Sequence, residues 1–377
     1  MNRLKIFIWL TVAIAASPQI CKAGVQRIVL EHADTLRSRG EVRELIGHVR
    51  VRRGITQIEA DRAFHDTRSG QVKLTGAVKL REPSRRVFAR QMDFNELSGN
   101  FEASQDVDMY HGDSLRIRCD RARYNEAGET VDLFGRVIID NLSDKARITG
   151  GHGLWNQRND SGVIDKSPVY RLPDTEGNPP DTLVIVSRNL HFNRAERTAL
   201  FVGDVVMTRQ DMRAEADSLL HLPDSSRTIL LGDPIIWRED DELSGRRIEL
   251  HFKDHDLSKV FVESDAAAVS GAQPGDPRNN YLVGKTLTLT TVDDSSRLIV
   301  AKGDAKGEYH AWDEADVYQG VNMSAADRIE LLVVNNKATS IVLSGRSNGT
   351  FYPPGQAPED IGLGSFRDRD HKRRKTN

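Results

Sequence analysis

Cysteine is nearly absent: the 377 residues hold two, Cys21 and Cys119, so no disulfide frame holds this fold. Aromatic residues make up 6 % and methionine numbers six, which argues against stacking platforms for bases or sugars. Neither sign of charge dominates. Lys+Arg at 53 against Asp+Glu at 55 leave a net charge of −2, which removes the uniformly basic surface of a phosphate-backbone binder and takes nucleic acid out of the expected partners. Beyond residue 23 no hydrophobic run is long enough to span a bilayer as a helix. Helical stripes are missing too, because Pro, Gly and β-branched residues interrupt each window before a 3.6-residue period is established. What remains is 38 % hydrophobic and 29 % charged, ordinary for a folded chain with room for two domains.

The first segment reads as an address. Arg3 and Lys5 precede the apolar run Ile6–Ala16, and Cys21-Lys22-Ala23 sets small residues before Gly24, the pattern of a cleaved secretory signal over residues 1–23. The run falls short of the roughly 20 residues of a membrane span and ends at Ser17-Pro18. Pro18-Gln19-Ile20 before Cys21 lacks the small residues of a lipoprotein signal. Export out of the cytoplasm is therefore expected, with Cys119 left without an intrachain partner.

The dominant feature is internal repetition. Gly47-His48-Val49, Gly76-Ala77-Val78, Gln105-Asp106-Val107 and Gly135-Arg136-Val137 place their valines 29, 29 and 30 residues apart. The series continues less regularly through Val169, Val205, Ile235, Ala267 and Ala305. A second anchor travels with it: Ala33-Asp34, Ala60-Asp61, Cys119-Asp120, Ala216-Asp217 and Ala326-Asp327, with Ala89-Arg90 keeping the small residue and losing the acid. The repeated Asp recurs too often to be one catalytic acid and reads as structural, ending strands or bonding turn backbone. Turn words such as Thr67-Arg68-Ser69-Gly70, Glu96-Leu97-Ser98-Gly99 and Glu126-Ala127-Gly128 separate the anchors, so each repeat is a few strands joined by short turns.

Within each unit the period is two. Val72, Leu74, Gly76, Val78 and Leu80 alternate with polar neighbours, as do Val131, Leu133, Gly135, Val137 and Ile139, and Ala199, Phe201, Gly203, Val205 and Met207; one face is apolar and the other meets water. Phe101, Ala103, Gln105, Val107 and Met109 form a fourth copy with Gln in the glycine position. A glycine in mid-strand gives up packing, so its recurrence at one phase predicts a bend or close backbone approach at a sheet corner, and a sheet folded over on itself.

The proline-rich stretch Lys166–Asp181 is the clearest break, an inserted loop or a boundary, and Gln273–Asn280 is a shorter one. The expected organisation is a signal over 1–23, β blocks over 24–165 and 166–352, and a disordered tail over 353–377 ending in the basic cluster His371–Lys375. The blocks differ in sign: Gly24–Asn100 carries 15 Lys+Arg against 10 Asp+Glu, whereas Phe201–Ser270 carries 8 against 15.

Gly47-His48-Val49, Ile58-Glu59-Ala60-Asp61, Phe64-His65-Asp66, Gly70 and Leu74-Thr75-Gly76-Ala77-Val78, echoed by Arg121-Ala122-Arg123-Tyr124-Asn125, resemble the OstA-like N-terminal domain family of periplasmic lipopolysaccharide-transport proteins. The resemblance covers residues 27–140, recurs over 183–264 and loosens towards 345. It implies an all-β fold: a repetitive antiparallel β-jellyroll, a solenoid-like "β-taco" with an open apolar groove for the acyl chains of lipopolysaccharide. It also implies exposed edge strands that join other jellyroll proteins of the transport bridge, or head-to-tail copies of the same chain. The groove would be lined by the inward series Val49, Val51, Val72, Leu74, Val78, Leu80, Phe101, Val107, Met109, Val131, Leu133, Val137, Ile139, Phe201, Val205 and Met207. Burying each CH₂ is worth about 0.8 kcal/mol, so such a trough holds lipid with no catalytic group or cofactor. Arg50, Arg52 and Arg53, or Arg85 and Arg86, are candidates to meet lipid phosphates at the groove mouth, against the plainer reading of a solvated strand face.

Enzyme-like strings carry little. Gly112-Asp113-Ser114-Leu115 and Gly345-Arg346-Ser347-Asn348-Gly349 spell nucleophile blocks that need a strand-to-helix turn. Gly284-Lys285-Thr286 leads into the strand-like Leu287-Thr288-Leu289-Thr290 where a phosphate loop needs a helix. His251 and His255 have metal spacing only on a helix, Glu239–Glu242 reads as a hairpin tip, and Gly150-Gly151-His152-Gly153 reads as a flexible turn. The expectation is a non-enzymatic lipid carrier. The competing reading is an exported structural or adhesive β-solenoid with a closed core and no lipid.

Overall fold

The computed structural model describes residues 28–358 and 363, apart from 144, 175–180, 254–255, 274–275, 294, 314 and 336. The expected signal segment and the basic cluster 371–375 lie outside the described residues. Twenty-six strands and one 3₁₀ turn, Pro223–Ser225, make up the described secondary structure, and every described pairing is antiparallel. Two compact units divide within a strand, between Val202 and Gly203, later than the 165/166 boundary expected from the proline-rich stretch.

In the first unit β1 (Val29–His32) and β2 (Thr35–Arg39) lie end to end along β3 (Val42–Arg53). A meander follows: β4 (Thr56–Asp66), β5 (Gln71–Arg81), β6 (Arg85–Asn95), β7 (Phe101–His111), β8 (Leu115–Asn125) and β9 (Thr130–Asn141). The turn words close alternate hairpins as Asx turns. Asp66 Oδ1 accepts from the Arg68 and Ser69 N–H groups, and Asn95 Oδ1 from Leu97 and Ser98. The 29-residue repeat is thus one hairpin, two strands long.

Every long strand of this meander bends at the predicted corner. β3, β5 and β7 each set two residues, Gly47-His48, Gly76-Ala77 and Gln105-Asp106, against a single residue of the next or preceding strand, and Gly135-Arg136 marks the same place on β9. Such bulges bend a strand and strengthen its twist. The two halves of each strand turn their apolar faces toward one another: Val72 and Leu74 before the corner and Val78 and Leu80 after it share one core.

The Ala-Asp anchor explains the glycines. Asp61 sits in mid-strand at the corner, where a Cβ on Gly76 would overlap its side chain, and its Oδ2 accepts from the Ala77 N–H at 3.2 Å. Asp34 beneath Gly47, Asp120 beneath Gly135, Asp217 beneath Gly232 and Asp327 beneath Gly345 repeat the arrangement, each glycine at positive φ. The acid therefore bonds backbone, as one of the two expectations had it, at a bulge for Asp61 and at a turn for Asp327, and Asp61, Asp120, Asp217 and Asp327 lie within strands and do not end them. Where Arg90 replaces the acid, Gln105 stands in the glycine position at φ +65°. The lost carboxylate reappears one position on, with Asp106 ion-paired to Arg90 at 2.9 Å.

The described residues of the proline-rich break on either side of 175–180 lie in paired short strands. β10 (Arg147–Asn156) splits its partners: one half pairs β11 (Ser161–Asp165) and the other β12 (Val169–Asp174). β13 (Asp181–Val186) returns along β12, and β14 (Asn189–Asn193) along β11. Two short strands thus replace one bent strand on each rung. Gly150-Gly151-His152-Gly153 lies inside β10 and is no turn; a Cβ on Gly150 or Gly153 would strike Ile164 of β11, so the glycines admit close strand packing. β14 then pairs the first half of β15 (Thr198–Arg209).

The second unit repeats the device. β16 (Met212–Leu222) pairs β17 (Arg227–Leu231) and β18 (Ile235–Arg238); β19 (Asp241–Ser244) returns on β18 and β20 (Arg247–Lys253) on β17. Both then pair the long β21 (Asp256–Gly271). β22 (Asn279–Thr291), β23 (Ser296–Trp312) and β24 (Tyr318–Val334) continue the meander, and β25 (Lys337–Ser344) and β26 (Asn348–Tyr352) share β24 as the last rung. Leu363, in the expected disordered tail, is fully buried against Ala267 and Val283.

Candidate functional site

The sixteen inward residues expected to line a groove point inward as predicted, and nearly all are sealed. Leu74 is 0 % exposed, Val49, Val78, Val137 and Phe201 1 %, and Met109, the most exposed of the buried ones, 9 %; Ile139 is partly buried. In the first unit these side chains meet Met92, Ala103 and Ala122 from neighbouring strands and fill the space between the half-sheets. Val205 and Met207 are buried in the second unit.

An open, mainly apolar cavity of about 210 Å³ lies inside the second unit. One wall is a single cross-strand row: Leu250, Val260, Leu289, Ile299, Leu331 and Ile341, one residue from each of β20 to β25 in direct register. The facing wall is the row Ile236, Leu243, Ala268, Leu282, Gly307 and Ser324. Large branched side chains thus face a wall in which three of six members are Ala268, Gly307 and Ser324, and the missing volume is the cavity. In the first unit the comparable space is filled by residues such as Leu74 and Met92, both 0 % exposed. The large wall is graded: Leu250 is fully buried, Leu289, Ile299 and Leu331 are partly buried, and Ile341 is 40 % exposed. The row therefore leads from the interior to solvent at the last rung.

The rim is charged. Arg238, Asp241, Glu242, Lys259 and Arg297 border the cavity. Arg238 is held by Asp211 at 2.9 Å, and Glu242 accepts from the Trp237 indole at 3.2 Å. At one end of the cavity wall Glu308 is buried 3.3 Å from His310, whose Nδ1 lies 2.9 Å from the Tyr318 hydroxyl. Arg278 stacks 3.8 Å from the centre of the Tyr318 ring. Burial pushes the Tyr309 and Tyr318 phenols above their usual range, so both stay neutral donors. This cluster ties the ends of β23 and β24 together.

The motif lookalikes fall into strands or turns. Gly112–Leu115 is the turn entering β8, and the Gly345 string joins β25 to β26, with Asp327 accepting from the Arg346 N–H at 3.0 Å. A last strand, β26, begins within this string and ends at Tyr352. Gly284-Lys285-Thr286 is the β22 corner, its Lys285 3.3 Å from Asp304. His251 is paired to Glu249 at 3.0 Å, and His255 lies outside the described residues. Among the described residues no cluster of metal-ligating side chains is found. Of the arginines considered for a groove mouth, Arg85 is held by Glu82 at 3.0 Å and Arg53 stacks over Phe94 at 5.0 Å, whereas Arg50, Arg52 and Arg86 stand on the outer face.

The cavity-lining residues were not selected from sequence, although Leu287-Thr288-Leu289-Thr290 signals a strand with an apolar face. Period two identifies the inward face of a strand; it does not say whether the opposite wall is large enough to fill the space.

No protein-family profile matches the chain, and no curated protein matches it. Among solved structures it is similar to LptH from Pseudomonas aeruginosa, described as the LptA-homologous periplasmic component of the lipopolysaccharide transport device. The identity is 17 % and the TM-score 0.29, over 38 % of this chain and 96 % of that one. The all-β assignment rests on the strand pairings themselves.

Proposed function

We propose that this chain is a periplasmic, non-enzymatic carrier that holds the acyl chains of a lipopolysaccharide-type lipid in the apolar cavity of its second unit. The observation that carries the reading is the six-residue apolar row from Leu250 to Ile341, buried at one end and open at the other, facing a wall in which Ala268, Gly307 and Ser324 leave space. An acyl segment of about ten methylenes entering it would gain about 8 kcal/mol before ordering costs. The charged rim gives a phosphorylated headgroup both Lys259 and Arg297. The sealed inward series of the first unit serves as its core and takes no lipid without opening.

The terminal rungs supply the docking edges. β1, β2, β25 and β26 carry exposed Val29, Leu30, Leu36, Ile341, Val342 and Phe351, and a sheet edge of this kind accepts a strand from a partner of the same fold or from another copy.

The test is photo-crosslinking with purified lipopolysaccharide. A photoreactive residue is placed at Leu289 or Ile299 on the cavity wall, at Val78 in the core of the first unit, and at Lys79 as an outward control. Adducts at Leu289 and Ile299 alone are expected. Adducts at Val78 but not in the second unit would move the site to the first unit, and none at any position would favour the structural solenoid.

A further inference from the structure

The outer face of the first unit carries a feature unrelated to the cavity. Across nine strands, β3 to β10 and then β12, one outward cross-strand row reads Arg52, Gln57, Arg81, Arg86, Tyr110, Arg116, Asp140, Arg147 and Arg171 in direct register. Six of its nine members are arginine. At about 4.8 Å per strand the row extends about 38 Å. The next outward row adds Arg50, Lys79 and Arg118 against Glu59 and Asp108. Counting Glu31 and Asp113, which approach Arg52 and Arg86, the strip keeps a surplus of four cations.

Two features separate this strip from an ordinary solvated face. Arg81 stands directly opposite Arg86, and Arg147 directly opposite Arg171; like charges in such positions destabilise a sheet, so the fold tolerates a cost here. On the opposite outer half of the same strands one row reads Glu44, Phe64, Lys73, Asp93, Glu102, Arg123 and Asp132 and the next adds Arg62 and Arg121, so acids and bases balance there. The surplus of positive charge therefore lies on one side of the corner. Tyr110 lies between two guanidiniums, 5.0 Å from Arg86 and 5.3 Å from Arg116, which sets an amphipathic ring in the middle of the strip, the residue type favoured at a membrane interface.

We infer that this arginine strip docks the first unit onto a bilayer surface rich in anionic lipid headgroups. The side chains of Arg52, Arg81, Arg86 and Arg147 are each about half exposed and project from a continuous sheet face. That geometry suits many phosphates presented together on a surface better than one ligand in a cleft. Each base near an anionic membrane contributes independently, so the strip acts by its sum.

The experiment is vesicle co-sedimentation of the full chain with phosphatidylcholine vesicles, with and without phosphatidylglycerol, at low and high salt. Arg81→Gln/Arg86→Gln is compared with Lys73→Gln/Arg123→Gln on the opposite, charge-balanced half. The strip variant should partition onto the anionic vesicles about thirtyfold more weakly than the parent, and the control should bind like it. Salt should abolish the difference. Any insertion of the apolar run Ile6–Ala16 would appear equally on pure phosphatidylcholine and so is subtracted. Thermal unfolding checks the strip variant, which relieves an Arg–Arg repulsion and should be no less stable than the parent. Equal loss in both variants, no preference of the parent for anionic vesicles, or retention on a soluble polyanion without retention on vesicles would each overturn the inference.

Discussion

Gly76→Ala tests whether the corner is built as described. Gly76 has φ +94°, and a Cβ there would overlap the carboxylate of Asp61. Left-handed backbone costs an L-residue about 1–2 kcal/mol, and forcing a packed neighbour aside adds about 1–3 kcal/mol, so the substitution should cost about 2–5 kcal/mol. Gly40→Ala is the control: its φ is +60° but nothing lies within 4 Å of its Cβ, so only the backbone cost of about 1–2 kcal/mol applies. Asp61→Ala alone loses the bond to the Ala77 N–H, worth about 1 kcal/mol. In Gly76→Ala/Asp61→Ala the obstruction is gone. The double variant should then be less destabilised than the two single costs predict, with a coupling of at least about 1 kcal/mol. Urea unfolding followed through the transition of the first unit measures all four proteins. If Gly76→Ala costs no more than Gly40→Ala, or the two corner substitutions are additive, the Asp beneath the glycine is not what demands glycine.

The same geometry predicts that Gln105→Gly, which relieves a non-glycine residue at φ +65°, raises stability by up to about 1 kcal/mol in the same urea assay. Cys119, buried and with its thiol pushed up to about 12 by desolvation, should resist thiol reagents at pH 8 in the folded chain and react once urea unfolds it. His221, pushed down to about 4 by burial, binds a proton less readily folded than unfolded, where 6.5 applies. Its contribution is whole above about pH 6.5 and is lost as pH falls towards 4, at up to about 1.4 kcal/mol per pH unit; His221→Gln should flatten that part of the stability profile of the second unit. Gly307→Val, whose Cβ would lie 3.2 Å from Ser324 Oγ and 3.8 Å from Leu282 and Ile329, should fill the cavity. It should change stability by no more than about 1 kcal/mol while lowering lipid adducts at Leu289.

The repeat was legible because it is written in two registers at once. A glycine every 29 or 30 residues marks the bulge, and an Ala-Asp pair on the intervening strand marks what lies beneath it. The exception at Ala89-Arg90 and Gln105 obeys the same physics, since removing the acid removes the need for glycine. The proline-rich stretch misled because proline is expected at edges and loops; Pro173 instead lies within β12, one of two short strands sharing a rung, an arrangement with no local signature. The cavity was hidden for a different reason. Leu289 and Val78 look alike along the chain, each an apolar residue at the inward phase of a strand. One borders empty volume and the other is sealed because of what lies across the fold: Ala268, Gly307 and Ser324 in one unit, Leu74 and Met92 with their neighbours in the other. Facing rows are related by how the sheet folds over, so whether a small residue leaves a hole depends on a partner many strands away. Even the small residues do not announce it, since Ala103 and Ala122 are as small and fully packed. A carrier and a solid solenoid can therefore be built from the same alternating pattern, and what separates them is the volume summed across two walls.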